Sequence, residues 1–177
     1  DEYWKEVKLK ELDLVIKSAM GMYLEVAAGA YSAVPGEQVT MAYEAANRSG
    51  VSTRLLSLSI PELGVNTQIG EPLENNVRLN GNDTFQIPTS LDYSQPYWLE
   101  EEATLGMYRV DAQEKIGLAE NPPALEAIFS LEIDGRPFEY TTDVIFKRND
   151  RVKGEFYRPF VITPPVMANI REGVLIF

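Results

Sequence analysis

The chain has 177 residues, 45 % of them hydrophobic, enough apolar material to bury a core in one large domain or two small ones. It carries 27 acidic against 16 basic residues, a net charge of −11, which argues against nucleic acid or an anionic membrane surface as the partner, since both need clustered Lys and Arg. Cysteine and histidine are both absent, so disulfides, thiol nucleophiles, Ser–His–Asp catalysis and thiolate or imidazole metal sites are excluded, and no cofactor is expected.

No run approaches the ~18–20 apolar residues a membrane span needs, so no membrane insertion is expected. The opening Asp1-Glu2-Tyr3-Trp4-Lys5 lacks the basic start of a signal peptide. Residues 3–20 read as an amphipathic helix. Leu9, Leu12, Ile16, Ala19 and Met20 recur at helical spacing and form one apolar stripe. Glu6 with Lys10 and Asp13 with Lys17 are spaced for i,i+4 pairing, and Gly21 is a stop signal. Such a helix must dock on something, either the sheet that follows or a domain outside this chain.

After Gly21 the hydrophobic period changes from 3.6 to 2. Met22–Ala28 reads as the first strand, and Val34-Pro35-Gly36-Glu37 as a turn. Val39, Met41, Tyr43 and Ala45 alternate with polar or small neighbours, as a half-buried strand requires. Asn47-Arg48-Ser49-Gly50 reads as a turn. Leu56, Leu58 and Ile60 then alternate with Ser57 and Ser59 before Pro61. Weaker strands are expected at Val65–Ile69 and Asn76–Leu79. Asn80-Gly81-Asn82-Asp83 reads as a turn ahead of Phe85 and Ile87. Residues 88–123 hold four prolines, an acidic run at Glu100-Glu101-Glu102 and one short strand candidate, Met107–Val110. They read as a long connection, an insertion, or a boundary between two small sandwiches.

The strongest local signal is Asp134-Gly135, a two-residue hairpin turn that needs φ > 0 at both positions. Pairing outward sets Leu131 opposite Phe138, Phe129 opposite Tyr140, Ala127 opposite Thr142 and Leu125 opposite Val144. The apolar alternation demands the same register. A turn at Asn149-Asp150 and a strand over Glu155–Thr163 follow, then Pro164-Pro165 as an edge. Val166–Phe177 reads as a new strand ending on Val174-Leu175-Ile176-Phe177, an apolar end that suggests a piece of a longer protein.

Short strands, turns about every ten residues and one helix predict a mostly-β chain, an immunoglobulin-like β-sandwich preceded by an N-terminal amphipathic helix. The expected division is a helical linker over residues 1–21 and a first sandwich over 22–92. A second lobe follows over 93–165, or a continuation of the first after a long insertion, and 166–177 begin a further strand or domain.

Two groups of residues carry possible binding chemistry. Tyr93, Tyr97 and Trp98 lie in the Pro-interrupted loop. They suit stacking on a sugar or peptide, but the first expectation is that they plug the end of a sandwich or an interdomain seam. Arg148, Arg151 and Arg158, with Lys147 and Lys153, form a basic patch in an acidic chain. The patch suits an anionic group or an acidic neighbouring domain, but the first expectation is a charged, solvated strand edge that discourages aggregation. Glu100–Glu102 reads as a solvated loop, because consecutive acids point apart and calcium-loop spacing is absent.

Several segments resemble the region that follows the catalytic domain in large PIG-L/LmbE-type deacetylases of bacteria. They are Leu9-Lys10-Glu11-Leu12-Asp13-Leu14-Val15-Ile16 running into Gly21-Met22-Tyr23-Leu24-Glu25, Gln95-Pro96-Tyr97-Trp98-Leu99 with Gly106-Met107-Tyr108, and Gly154-Glu155 with Arg158-Pro159-Phe160 and Thr163-Pro164-Pro165-Val166. That family's catalytic domain builds a zinc site on a His-Pro-Asp-Asp-Glu motif and removes N-acetyl groups from sugar conjugates. This chain has no histidine, so none of those residues carries over. The resemblance implies a non-catalytic accessory sandwich whose partner is the catalytic domain of the same parent protein. The alternative is a free-standing carbohydrate-binding module whose partner is a glycan, with Tyr93, Tyr97 and Trp98 as a flat platform. A carboxylate hydrolase would need two acids ~5–9.5 Å apart across a cleft, and no spacing here selects such a pair.

Overall fold

The computed structural model describes residues 1–168. The chain is mostly β, with one N-terminal α-helix among the described residues, as the sequence predicts. Helix α1 spans Glu2–Ala19. It ends in a hydrogen-bonded lock: Gly21 N–H donates to Ser18 O and Met22 N–H to Lys17 O, each at 3.0 Å, closing the last carbonyls. The expected Glu6–Lys10 and Asp13–Lys17 contacts do not form. The helix carries Glu2–Lys5 and Lys8–Glu11 ion pairs at 3.0 and 2.7 Å instead.

The strands are β1 (Tyr23–Ala28), β2 (Ser32–Ala33), β3 (Gln38–Ala46), β4 (Thr53–Ile60), β5 (Val65–Pro72), β6 (Arg78–Gln86), β7 (Glu126–Ile133), β8 (Arg136–Asp150), β9 (Gly154–Pro159) and β10 (Val161–Ile162). One hydrogen-bonded path runs β5-β4-β7-β8-β1-β3-β6, with β9 on β8 and a separate β10-β2 pair. Strand β8 has 15 residues and serves two neighbourhoods. Its first half, Arg136–Asp143, pairs with β7. Its second half pairs in parallel with β1 and antiparallel with β9. The path therefore curls, in a sandwich-like arrangement, around one apolar cluster. Leu55, Phe129 and Leu131 reach that cluster from β4 and β7, and Val26, Met41 and Ala45 from β1 and β3. Strands before and after residues 88–123 thus share a core.

The hairpin register is as the sequence predicts. Leu131 faces Phe138, Phe129 faces Tyr140 and Ala127 faces Thr142, while Val144 N–H donates to Leu125 O at 3.0 Å. Asp134 and Gly135 both take positive φ, +48° and +73°.

Four expectations are corrected. Asn80-Gly81-Asn82-Asp83 is no turn but the middle of the edge strand β6, paired with Met41–Glu44 of β3. Gly81 is there because the Tyr43 ring lies across it: a Cβ would stand 2.6 Å from Tyr43 Cε1. In β4 the core-facing residue is Leu55, not Leu56. Leu56 is an unpaired extra residue between Leu55↔Leu131 and Ser57↔Ser130, and this bulge shifts the alternation by one. Met107–Val110 forms no strand, only a bridge between Thr104 and Met107. Glu155–Thr163 is two strands rather than one, β9 and β10, broken at Phe160, whose ring turns into the core. The strand expected over 166–177 lies, from 169 onward, outside the described residues.

Gly135→Val should destabilise the fold by about 1–2 kcal/mol, the left-handed penalty for an L side chain. Thermal melts should show a loss of roughly 2–8 °C at this chain length, with Arg136→Val close to wild type. Equal melting temperatures for the two variants would refute the turn geometry.

Candidate functional site

The long connection between β6 and β7 is pinned at both ends. Ser94 N–H donates to Ile162 O at 2.8 Å, and Ser94 Oγ accepts from Ile162 N–H at 3.0 Å. The Asn121 carboxamide clamps the loop across itself. Its Oδ1 accepts from Tyr97 N–H at 2.9 Å, and its Nδ2 donates to Gln95 O. Pro96 leads into a short 3-10 turn over Tyr97–Leu99. The backbone that carries Tyr97 and Trp98 is thus fixed by hydrogen bonds to distant segments and stiffened by proline.

The three aromatic candidates have separate fates. Tyr97 is spent inside the loop: its hydroxyl accepts from Gly117 N–H at 3.3 Å and donates to Leu118 O at 3.5 Å. Its ring meets Trp98 edge to face, at 5.0 Å and 85°. Those two rings therefore make no flat platform. Tyr93 is exposed. Trp98, half-buried, lines a cleft of about 320 Å³ with Pro96, Pro122, Pro123, Pro159 and Phe160.

The arginines separate in the same way. The β8–β9 register sets Arg148 opposite Phe156 and Phe146 opposite Arg158, so these four share one face. The Arg158 guanidinium lies 5.0 Å from the Phe156 ring centre. Arg151 sits in the exposed turn beyond, where Asp150 Oδ1 accepts from Val152 and Lys153 N–H at 2.8 Å each. Those two bonds pull the Asp150 carboxyl below the usual carboxylate range. Arg158 also lines a second cleft of about 220 Å³ with Asp143 and Tyr157. Both clefts have Glu120, Asn121, Pro123 and Pro159 in their walls. Of the six candidates, Tyr97 and Trp98 meet ring to ring and Arg148 shares a strand face with Arg158, while Trp98 and Arg158 line separate clefts that share four wall residues. Glu100 pairs with Lys115 at 2.8 Å, and no three Asp or Glu residues gather to hold a metal among the described residues.

A polar network on β1, β8 and β9 escaped sequence reasoning. Lys147 Nζ lies 3.1 Å from Glu25 and 3.5 Å from Glu155, and 5.6 Å from the Tyr157 ring centre. Tyr157 donates to Glu155 at 2.5 Å. Burial works against the Lys147 charge, but the Glu25 carboxylate and then Tyr23 more than offset it, and Lys147 holds its proton well above the ordinary lysine range. Burial, reinforced by Glu25, pushes the Tyr23 phenol up to about 12. The outward alternation of Tyr23 and Glu25 in β1 was the only sequence signal, and it could not name partners 122 residues away.

Comparison with protein-family models, curated proteins and solved structures found no match to this chain.

The Tyr23 phenol gives the fold an alkaline limit. The unfolded chain releases this proton near pH 10 and the folded chain near 12, so the folded state binds the extra proton between those values. The contribution is whole below pH 10 and is lost as pH rises towards 12. Melting temperatures should therefore fall less steeply over that interval in Tyr23→Phe than in wild type. Parallel curves would show that Tyr23 does not titrate this way. Separately, Lys147→Met leaves the mostly buried Glu25 carboxylate without its cation. It should cost about 1–3 kcal/mol by urea unfolding at neutral pH. A loss under about 0.5 kcal/mol would mark the pair as an ordinary surface contact.

Proposed function

We propose that this chain is the non-catalytic accessory region of a larger PIG-L/LmbE-type deacetylase, an immunoglobulin-like sandwich that packs beside the catalytic domain. The observation that carries this reading is helix α1, none of whose residues is buried. Only its last turns touch the body. Ile16 packs on the core, Tyr140 Oη donates to Asp13 O at 3.2 Å, and Lys17 lies 5.5 Å from the Tyr140 ring centre. The same apolar stripe then runs off the sandwich, leaving Leu9 and Leu12 just over half exposed, at 51 % and 52 %. Tyr3, Trp4, Leu14 and Val15 are exposed as well.

A soluble protein rarely leaves so many large apolar side chains exposed on one element without a partner. A neighbouring domain of the same parent supplies one at high effective concentration, so the contact need not be strong by itself. In this reading the parent's deacetylase domain provides the zinc and the hydrolysis of N-acetyl sugars. The sandwich holds or borders its substrate cleft. The antiparallel strands curling over a common core support the immunoglobulin-like assignment.

The test is association with the deacetylase domain of the parent protein, produced separately. Wild type should form a one-to-one complex. Leu9→Glu/Leu12→Glu should weaken it by at least about a hundredfold, since each buried leucine contributes about 1.5–3 kcal/mol. The melting temperature of the double variant alone should stay within about 2 °C of wild type, as for other surface substitutions. Absence of any complex would overturn the accessory reading. So would a double variant that melts as low as a core substitution, because the stripe would then be satisfied within the chain.

A further inference from the structure

The sandwich is open on one side, between the free edges of β5 and β6, and we infer that this opening accepts an extended peptide strand that carries a lysine or arginine. The inference stands apart from any role for α1. Strands β5 and β6 end the hydrogen-bonded path, each with one neighbour among the described residues. Between them lies an apolar recess of about 80 Å³, walled by Val26 and Met41 from one layer and Leu58 and Ile60 from the other. Past Phe85 it continues into a wider cleft bordered by Leu63, Val65 and Ile87. Two apolar layers thus meet at a mouth edged by strand backbone. In such a setting an added strand gains both main-chain bonds and pockets for its alternate side chains.

The backbone of β6 fixes where the new strand pairs. Gly29 N–H donates to Thr40 O at 2.8 Å, so Thr40 turns its backbone groups to the β1 side of β3. Thr84 faces Thr40 across the ladder and therefore turns its own N–H and C=O to the open edge. The period of two repeats this at Asn80 and Asn82. Asp83 carries the specificity. It faces Met41, on the core side of β6, and is the only charged residue lining either the recess or the wider cleft. In the free protein its Oδ1 accepts from Thr84 N–H at 2.7 Å, which occupies an edge donor that an incoming strand needs. An inward charge on an edge strand also discourages indiscriminate pairing. A cation opposite Asp83 draws the carboxylate off Thr84 and frees that N–H, while its apolar stem fills the recess. A neutral or acidic strand would leave the carboxylate desolvated without a partner. A second copy of β6 is disfavoured on the same ground. Its core-side residues Leu79, Gly81, Asp83 and Phe85 include no cation, and each chain carries a net charge of −11.

The probe is a blocked heptapeptide with valine, lysine and valine on its groove face and threonine between them, titrated to about 2 mM, where a weak millimolar site fills appreciably. Amide and methyl NMR of the protein read both parts of the site. The lysine peptide should saturably shift the Thr84 amide and the Met41 and Leu58 methyls, and should slow hydrogen exchange at Asn80 and Asn82. The same peptide with glutamine or glutamate in place of lysine should bind at least about tenfold more weakly, and Asp83→Asn should lose that preference. Asn82→Pro removes an edge donor that β3 does not use and should abolish binding. Should that variant fail to fold, Asp83→Asn, an exposed substitution, still decides the matter. The inference is overturned if the lysine peptide does not saturate, if the three peptides bind alike, or if either folded variant binds as wild type does. The same amide shifts on raising the protein concentration alone would also overturn it, because the edge would then be a contact between copies. So would methyl shifts that n-butylammonium reproduces in full while the peptide leaves Asn80 and Asn82 unprotected, the behaviour of a small-cation site.

Discussion

The structure depends on one strand belonging to two neighbourhoods. At about 3.3 Å per residue, the 15 residues of β8 run roughly 50 Å, longer than one layer of a small domain requires. Its first half completes the pairing begun by β7, and its second half feeds β1 and β9. Val144, 1 % exposed, sits at the change of partners, with its N–H on Leu125 and its C=O accepting from Phe160 N–H at 3.4 Å. Because side chains alternate strictly along a strand, the register chosen at Asp134-Gly135 decides which face every later residue of β8 takes. A slip of one residue would turn Tyr140 and Val144 out of the core. It would also reverse the faces of Lys147 and Arg148.

Several of the polar contacts therefore lie along β8. Tyr140 receives the end of α1. Asp143 and Ile145 border the smaller cleft. Lys147 ties β1 and β9 through Glu25 and Glu155. Tyr140 and Asp143 are three residues apart, about 10 Å along the strand.

How much of this was legible in the sequence follows from how local each feature is. The hairpin was readable because turn chemistry and hydrophobic alternation specify it twice over a short stretch. The start of β1, the alternation of β3 and the helix stop at Gly21 are local in the same sense. The errors share one cause, which is that the deciding partner was distant in sequence. Asn80-Gly81-Asn82-Asp83 has the composition of a turn and becomes a strand because Tyr43, 38 residues earlier, covers the glycine and β3 supplies the ladder. Leu56 looked like a core residue until the β7 register placed a bulge at its position. At the candidate site, Trp98 and Arg158 were singled out for unrelated reasons, one as part of an aromatic loop and the other as part of a basic patch. The structure places them in the walls of two clefts that share Glu120, Asn121, Pro123 and Pro159. The Lys147 network left only the outward alternation of Tyr23 and Glu25, because its three strands are brought together by the curl of the sheet.

Helix α1 is the element whose stability the rest of the fold explains least. Its contacts with the body end at Asp13, and most turns before it rest on helix propensity and two exposed i,i+3 ion pairs, which contribute a few tenths of a kcal/mol each. Eighteen residues is only modestly longer than the shortest isolated helices that persist in water. What holds the helix in register is the lock at Gly21 and the Tyr140 contacts, which fix its direction from the base. A projecting helix held at one end presents Leu9 and Leu12 at a set angle, already ordered. Docking it costs less conformational entropy than folding a free segment would.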